Sequence, residues 1–246
     1  MRILVLSDIH SNLEAFDAVL EEAAGAYDTT LCLGDIVGYG ASPLEVMERL
    51  DVLAPQWIIR GNHDRVCAGI TDSSTFSPAA RIAIEWTRRQ LSPPAMARLA
   101  ALPIGPIAID AHTTICHGAP SDEDFYLLDS ADARLAFSAQ SAPLCLHGHT
   151  HAQTIFRLQG FGVYDETPAR RTRLTVTLDA GSRYLINPGA VGQPRDGDPR
   201  AAYAILDTGA RVVELRRVSY DVAAAQARIR AAGLPEPLAR RLATGD

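Results

Sequence analysis

Five short apolar runs in this chain each end on a side chain that can ligate a metal. LVLSDIH, LCLGD, IIRGNHD, TICHG and LCLHGHTH all place Asp, Asn or His just past the carboxyl end of the run. Runs of that length read as strands, and strand and helix patterns alternate through the first two thirds of the chain. Between the first two runs, Leu13, Phe16 and Leu20 recur on one helical face behind a capping box of Ser11 and Glu14. This alternation predicts βαβ units and a largely parallel sheet. Loops beyond the strand carboxyl ends of such a sheet converge on its ligand site, so five strands aim donors at one edge. Gly34, Gly61, Gly118 and Gly148 allow the close turns this needs.

Strands are expected near 2 to 6, 29 to 33, 56 to 60, 106 to 110, 113 to 116 and 143 to 146. Ser42-Pro43, Ser77-Pro78 and Ser92-Pro93 each supply an N-cap and a proline at the first helical position, so three more helices should start there. From about residue 152 the texture changes to strand-like segments separated by Gly, Pro and Asp turns, which read as a β-meander over 152–218. A helical stretch over 221–243, with Gly233 as a stop and a short polar tail, closes the chain. No linker-like stretch divides the 246 residues, and with 47% apolar residues one large α/β domain over 1–246 is expected.

The donors at the strand ends are Asp8, His10, Asp35, Asn62, His117, His149 and His151. This oxygen and nitrogen set suits borderline and hard divalent ions rather than soft ones; two divalent ions are expected, manganese before iron, zinc, nickel or cobalt. Seven ligands are too many for one open catalytic ion and suit two, with Asp35 as the candidate bridge.

Read together, these blocks resemble the calcineurin-like metallophosphoesterase superfamily, whose pattern DxH, GD, GNH[DE], H, GHxH occurs in order over residues 8–151. Asn187 to Arg200 is similar to the C-terminal loop of the small bacterial phosphodiesterase-like branch. The resemblance implies a four-layer α-β-β-α sandwich of two mixed β-sheets flanked by helices. It implies one ion on Asp8, His10, Asp35 and His151, and the other on Asp35, Asn62, His117 and His149. His63 would be the unliganded catalytic residue, protonating the leaving oxygen or stabilising the transition state while a metal-activated hydroxide attacks phosphorus. The expected function is hydrolysis of a phosphodiester or nucleotide-like ester. The wording around Arg60 to Arg65 also resembles diadenosine-polyphosphate hydrolases and protein phosphatases, although Asp64 stands where they carry Glu. A non-catalytic scaffold on the same fold is a further reading, and the complete ligand set argues against it.

Arg60, Tyr39 and Arg195 are candidates to contact a small phosphate-ester substrate, arginine by its fork and tyrosine by stacking. A net charge of −6 disfavours long nucleic acid as a partner. The apolar stretch Ile3 to Leu6 is too short for a signal segment and no run reaches transmembrane length, so a cytoplasmic protein with no membrane partner is expected. Cys32, Cys67, Cys116 and Cys145 form no CxxC pair, and Cys116 and Cys145 read as small buried hydrophobes. His112 and His147 read as structural, and Arg170, Arg171 and Arg173 as a solvated hairpin. Nothing in the surface pattern indicates an oligomeric state.

Overall fold

Strand β1 (Arg2–Leu6) buries four residues in a row, Ile3 to Leu6, so both of its faces are covered. Alternation sends Ile3 and Val5 to one apolar cluster and Leu4 and Leu6 to another. In this computed structural model, which describes residues 1–167 and 171–246, those clusters are two of the interfaces of a layered sandwich.

Elements α1 (Leu13–Glu22), β2 (Thr29–Cys32), α2 (Pro43–Leu53), β3 (Trp57–Ile58), α3 (Asn62–Cys67), α4 (Pro78–Gln90), α5 (Pro93–Ala100), β4 (Ile107–Ala108), β5 (Thr113–Ile115), α6 (Ser130–Ala139) and β6 (Leu144–Leu146) make up the first part of the chain. They are followed by β7 (Gln153–Gln159), β8 (Gly162–Asp165), β9 (Arg173–Thr177), β10 (Ser182–Pro188), β11 (Ala201–Asp207), β12 (Val212–Val218), α7 (Val222–Ala231) and α8 (Glu236–Arg240). Two six-stranded mixed sheets result, in the orders β3-β2-β1-β11-β12-β9 and β4-β5-β6-β10-β7-β8. Ile3, Val5, Leu31 and Leu206 of the first sheet meet Leu144, Leu146, Tyr184 and Ile186 of the second. Phe16 and Val19 of α1 and Leu50 of α2 cover the outer face of the first sheet, and Ala133, Ala136 and Phe137 of α6 cover that of the second. The architecture is the four-layer α-β-β-α sandwich.

The meander expected over 152–218 is instead divided between the sheets: β7, β8 and β10 join one, β9, β11 and β12 the other. Local alternation cannot show this, because strands of either sheet have the same period. The expected helix over 221–243 is α7 and α8 followed by a short 3₁₀ turn, Arg241–Ala243. Gly233, at φ +69°, and Pro235 break it. The final turn is packed down, with Leu238 and Leu242 buried beside Tyr39. Asn12, not Ser11, caps α1, accepting from the Ala15 amide at 3.2 Å, because Ser11 sits in the left-handed region. Ser77 and Ser92 cap α4 and α5 as expected, whereas the Ser42 side chain makes no capping bond.

Candidate metal centre

Each donor-bearing loop leaves the carboxyl end of its strand: β1 leads to Asp8 and His10, β2 to Asp35, β3 to Asn62, β5 to His117 and β6 to His149 and His151. The first three strands belong to one sheet and the last two to the other, so the donors meet where the sheet edges converge. Backbone bonds fix the loops to one another. The Asp8 amide donates to Gly34 at 3.0 Å, His10 to Asp35 at 2.9 Å and Gly148 to His117 at 2.7 Å. Asp8, His10, Asp35, His149 and His151 all have φ between 49° and 67°. Left-handed backbone costs a non-glycine residue about 1–3 kcal/mol, and such strain persists where the surroundings over-determine it. Gly61 must be glycine for contact, since a Cβ there would collide with Asp35.

Two groups of buried donors emerge, Asp8, His10, Asp35 and His151, and Asp35, His117 and His149, with donor atoms within 4.8 Å of one another in each. Asp35 is common to both. Its Oδ2 lies 3.4 Å from His10 Nε2 and 3.4 Å from His117 Nε2, and it is buried without a hydrogen-bond partner. Asn62 Oδ1 lies 3.3 Å from His117 Nε2.

The histidines are oriented from behind by backbone carbonyls. His10 Nδ1 donates to Val37 at 3.1 Å, His117 Nδ1 to Leu33 at 2.8 Å and His151 Nδ1 to Gln193 at 2.6 Å, while His149 uses Nε2 toward Asp124 at 3.1 Å. A carbonyl only accepts, so in each neutral ring the lone pair is left on the nitrogen that faces the centre. His10 Nε2 and His151 Nε2 then face each other at 3.1 Å as two acceptors. Two opposed lone pairs beside an orphaned carboxylate oxygen fit a cation between them.

Burial dominates the proton affinities. It pushes Asp8 up to about 6, with the Asp35 charge adding to the rise, and lowers His63 to about 4 and His149 to about 3. Burial alone would raise Asp35, but His117, His63 and His10 outweigh it and hold Asp35 well below the usual range. His117 is the counterpart: burial opposes its charge, yet Asp35 and Asp8 raise it to about 10. In the protein alone a protonated His117 stands opposite Asp35, and an ion binding there has to displace that proton.

His63 hangs over the centre, its amide donating to Asp35 Oδ1 at 2.9 Å and its ring packed against Tyr39, Phe76 and His10. Asp64 braces the loops, accepting from the Gly61, Ile36 and Val37 amides at 3.0, 2.9 and 3.1 Å. A cleft of about 520 Å³ opens above, lined by Asp35, Asn62, His63, His149, Tyr39 and Arg195, among others. Arg60 does not line it; that residue pairs with Glu123 at 3.1 Å, because the chain beyond β3 turns its side chain toward the 122–124 loop. The cleft also holds Phe76, Tyr126, Arg241 and Asp246, which sequence reasoning missed. They come from loops and the final turn and carry no motif. Tyr126 stacks on His149 with ring centroids 3.9 Å apart. His147 is fully buried. His112 is exposed at the start of β5, while the four cysteines are free and buried. Arg173 pairs with Glu214, and Arg170 lies outside the described residues.

Residues 1–211 match the family model of the calcineurin-like phosphoesterase superfamily domain. A metallophosphoesterase from Sphaerobacter thermophilus is 44% identical in a superposition that covers 100% of this chain and 99% of that one, with a TM-score of 0.88. A hypothetical protein from Pyrococcus horikoshii shares the fold at 21% identity and a TM-score of 0.79, over 100% and 98% of the two chains. Among curated proteins, an uncharacterized protein of Methanocaldococcus jannaschii is 35% identical over 99% of this chain and 98% of its own length. The chain belongs to the calcineurin-like phosphoesterase superfamily. No helix among the described residues is long and apolar enough to cross a membrane.

Proposed function

We propose that this chain is a two-metal phosphoesterase that hydrolyses a phosphodiester or nucleotide-like ester. The observation that carries the reading is Asp35 Oδ2, buried, without a hydrogen bond and equidistant at 3.4 Å from a histidine of each donor group, which is where a bridging carboxylate belongs. Asp8, His10, Asp35 and His151 would hold one ion, and Asp35, Asn62, His117 and His149 the other, with manganese the first candidate. Divalent ions bound there would supply charge to polarise the ester phosphate and to activate a water molecule. His63 is the proton donor for the leaving oxygen. With its proton affinity lowered to about 4 it is neutral in the protein alone, and the negative charge of an arriving phosphate raises it toward protonation. Tyr39 and Arg195 line the cleft where a substrate would lie, the Arg195 guanidinium carbon 5.4 Å from the Tyr39 ring centre. Tyr126, 43% exposed above His149, gives a flat group such as a base a surface to stack on.

The buried free thiols support a cytoplasmic, reducing setting. Hydrolysis of an aryl phosphodiester and an aryl phosphomonoester by metal-stripped protein, with and without Mn²⁺, tests the activity. Manganese-dependent cleavage of the diester is expected, and no turnover with any divalent ion would favour a non-catalytic scaffold. Asp35→Asn should lose metal and activity together, whereas His63→Ala should lower kcat by roughly 10²–10⁴-fold with metal content retained. Full metal occupancy and undiminished turnover in Asp35→Asn would sink the bridge.

A further inference from the structure

Two guanidinium groups on the cleft wall share one neutral acceptor. Arg195 Nη2 donates to Gln193 Oε1 at 2.9 Å and Arg241 Nη1 donates to the same oxygen at 3.2 Å. Gln193 is 2% exposed, and its backbone carbonyl is the one that orients His151. The arginine pair is therefore tied to the metal centre through a single residue. Among the described residues neither arginine has a carboxylate within ion-pair distance, and the Nε atom of each is buried without a hydrogen-bond partner. Two other partly buried arginines, by contrast, do have a carboxylate: Arg217 pairs with Asp196 and Arg200 with Asp198. Asp246, on the same cleft, acts on Arg241 from beyond ion-pair distance. Burial, and then the facing Arg195, push the Arg241 proton affinity below its ordinary value.

The position of Arg241 is built rather than accidental. The Gly197 amide donates to the Gly245 carbonyl at 2.7 Å and the Gly245 amide to the Arg241 carbonyl at 2.8 Å, which staples the final turn to the 192–198 loop. A Cβ on Gly245 would meet the Asp198 backbone at 2.6 Å, and its φ of +72° also favours glycine. Two like charges so placed repel each other, and an anion received by both forks relieves the repulsion.

We propose that Arg195 and Arg241 form an anion subsite that takes a second phosphate group of the substrate, separate from the ester phosphate cleaved over Asp35. This rests on the phosphoesterase reading and narrows it to nucleotide-like esters that carry an additional phosphate.

The test uses the manganese-loaded full chain and two chromogenic diesters, thymidine 5′-(4-nitrophenyl phosphate) and the same compound with a 3′-phosphate. The added phosphate should raise kcat/KM roughly tenfold, mainly through KM, as expected for one charge-assisted contact. In Arg241→Gln that preference should fall by about the same factor, and Arg241→Lys should recover part of it. Calorimetric titration of thymidine 3′,5′-bisphosphate into the metal-stripped proteins should show a Kd roughly tenfold weaker in Arg241→Gln. Equal kcat/KM for the two diesters in the parent protein overturns the subsite, as does an unchanged preference in a natively folded Arg241→Gln. If neither diester is cleaved, the phosphoesterase reading fails on that result, and the titration alone decides the subsite: equal Kd values overturn it.

Discussion

At the scale of single residues, burial decides which side chains carry charge. His147, two residues before His149 and fully buried, has its proton affinity lowered to about 4 by desolvation. An unfolded histidine titrates near 6.5. Between these values the unfolded chain binds a proton that the folded chain refuses, so the His147 contribution is present above pH 6.5 and is lost as pH falls through 4. The full difference is on the order of 3 kcal/mol. In chelator, His147→Gln should flatten the fall in melting temperature between pH 7 and 4.5 relative to the parent protein. Parallel curves would show that His147 is not among the groups responsible. The metal-centre candidates were legible at this scale because Asp, Asn and His recur at strand ends in a fixed order. The pairing of Arg60 with Glu123 was not legible, since a sequence position cannot show a carboxylate 63 residues away. Arg241 and Tyr126 were invisible because nothing local marks a residue that reaches the cleft from another part of the fold.

Among elements, the caps separate local from tertiary information. Ser77 and Ser92 were legible because a capping bond is closed within four residues. Asn12 was not, since its role is settled at long range: while Oδ1 caps α1, Nδ2 donates to the Gly192 carbonyl at 2.8 Å. Asn12→Ala should therefore cost about 2–3 kcal/mol, a lost cap plus a buried carbonyl left without that donor, whereas Ser92→Ala should cost about 1 kcal/mol. Urea unfolding midpoints of the two variants test the order, and equal losses would remove the long-range share. Strand β8 escaped notice because Gly162 to Asp165 is short and half-exposed, and its pairing with β7 rather than its own pattern makes it a strand.

Across the whole molecule, the donors come from both sheets, so metal binding and folding are coupled. An ion that binds only the folded chain stabilises it by about 2.7 kcal/mol at a hundredfold excess over Kd. For a chain of this size that corresponds to roughly 5–10 °C in melting temperature. Protein melted with Mn²⁺ should exceed chelated protein by that margin, and Asp35→Asn should show little of it; superimposable melting curves for the parent protein would contradict the coupling. The layered class was legible from alternation, yet the division of the later strands between sheets was not, because the pairing partner is chosen by the finished core. Strand β1 lies between β2, which follows it closely, and β11, whose Asp207 pairs with Arg2. A chain emerging from the ribosome therefore shows β1, the strand that leads to Asp8 and His10, with one open edge until residue 207 has cleared the exit tunnel. A product of stalled translation that stops before β11 exposes an unfinished sheet edge to its neighbours.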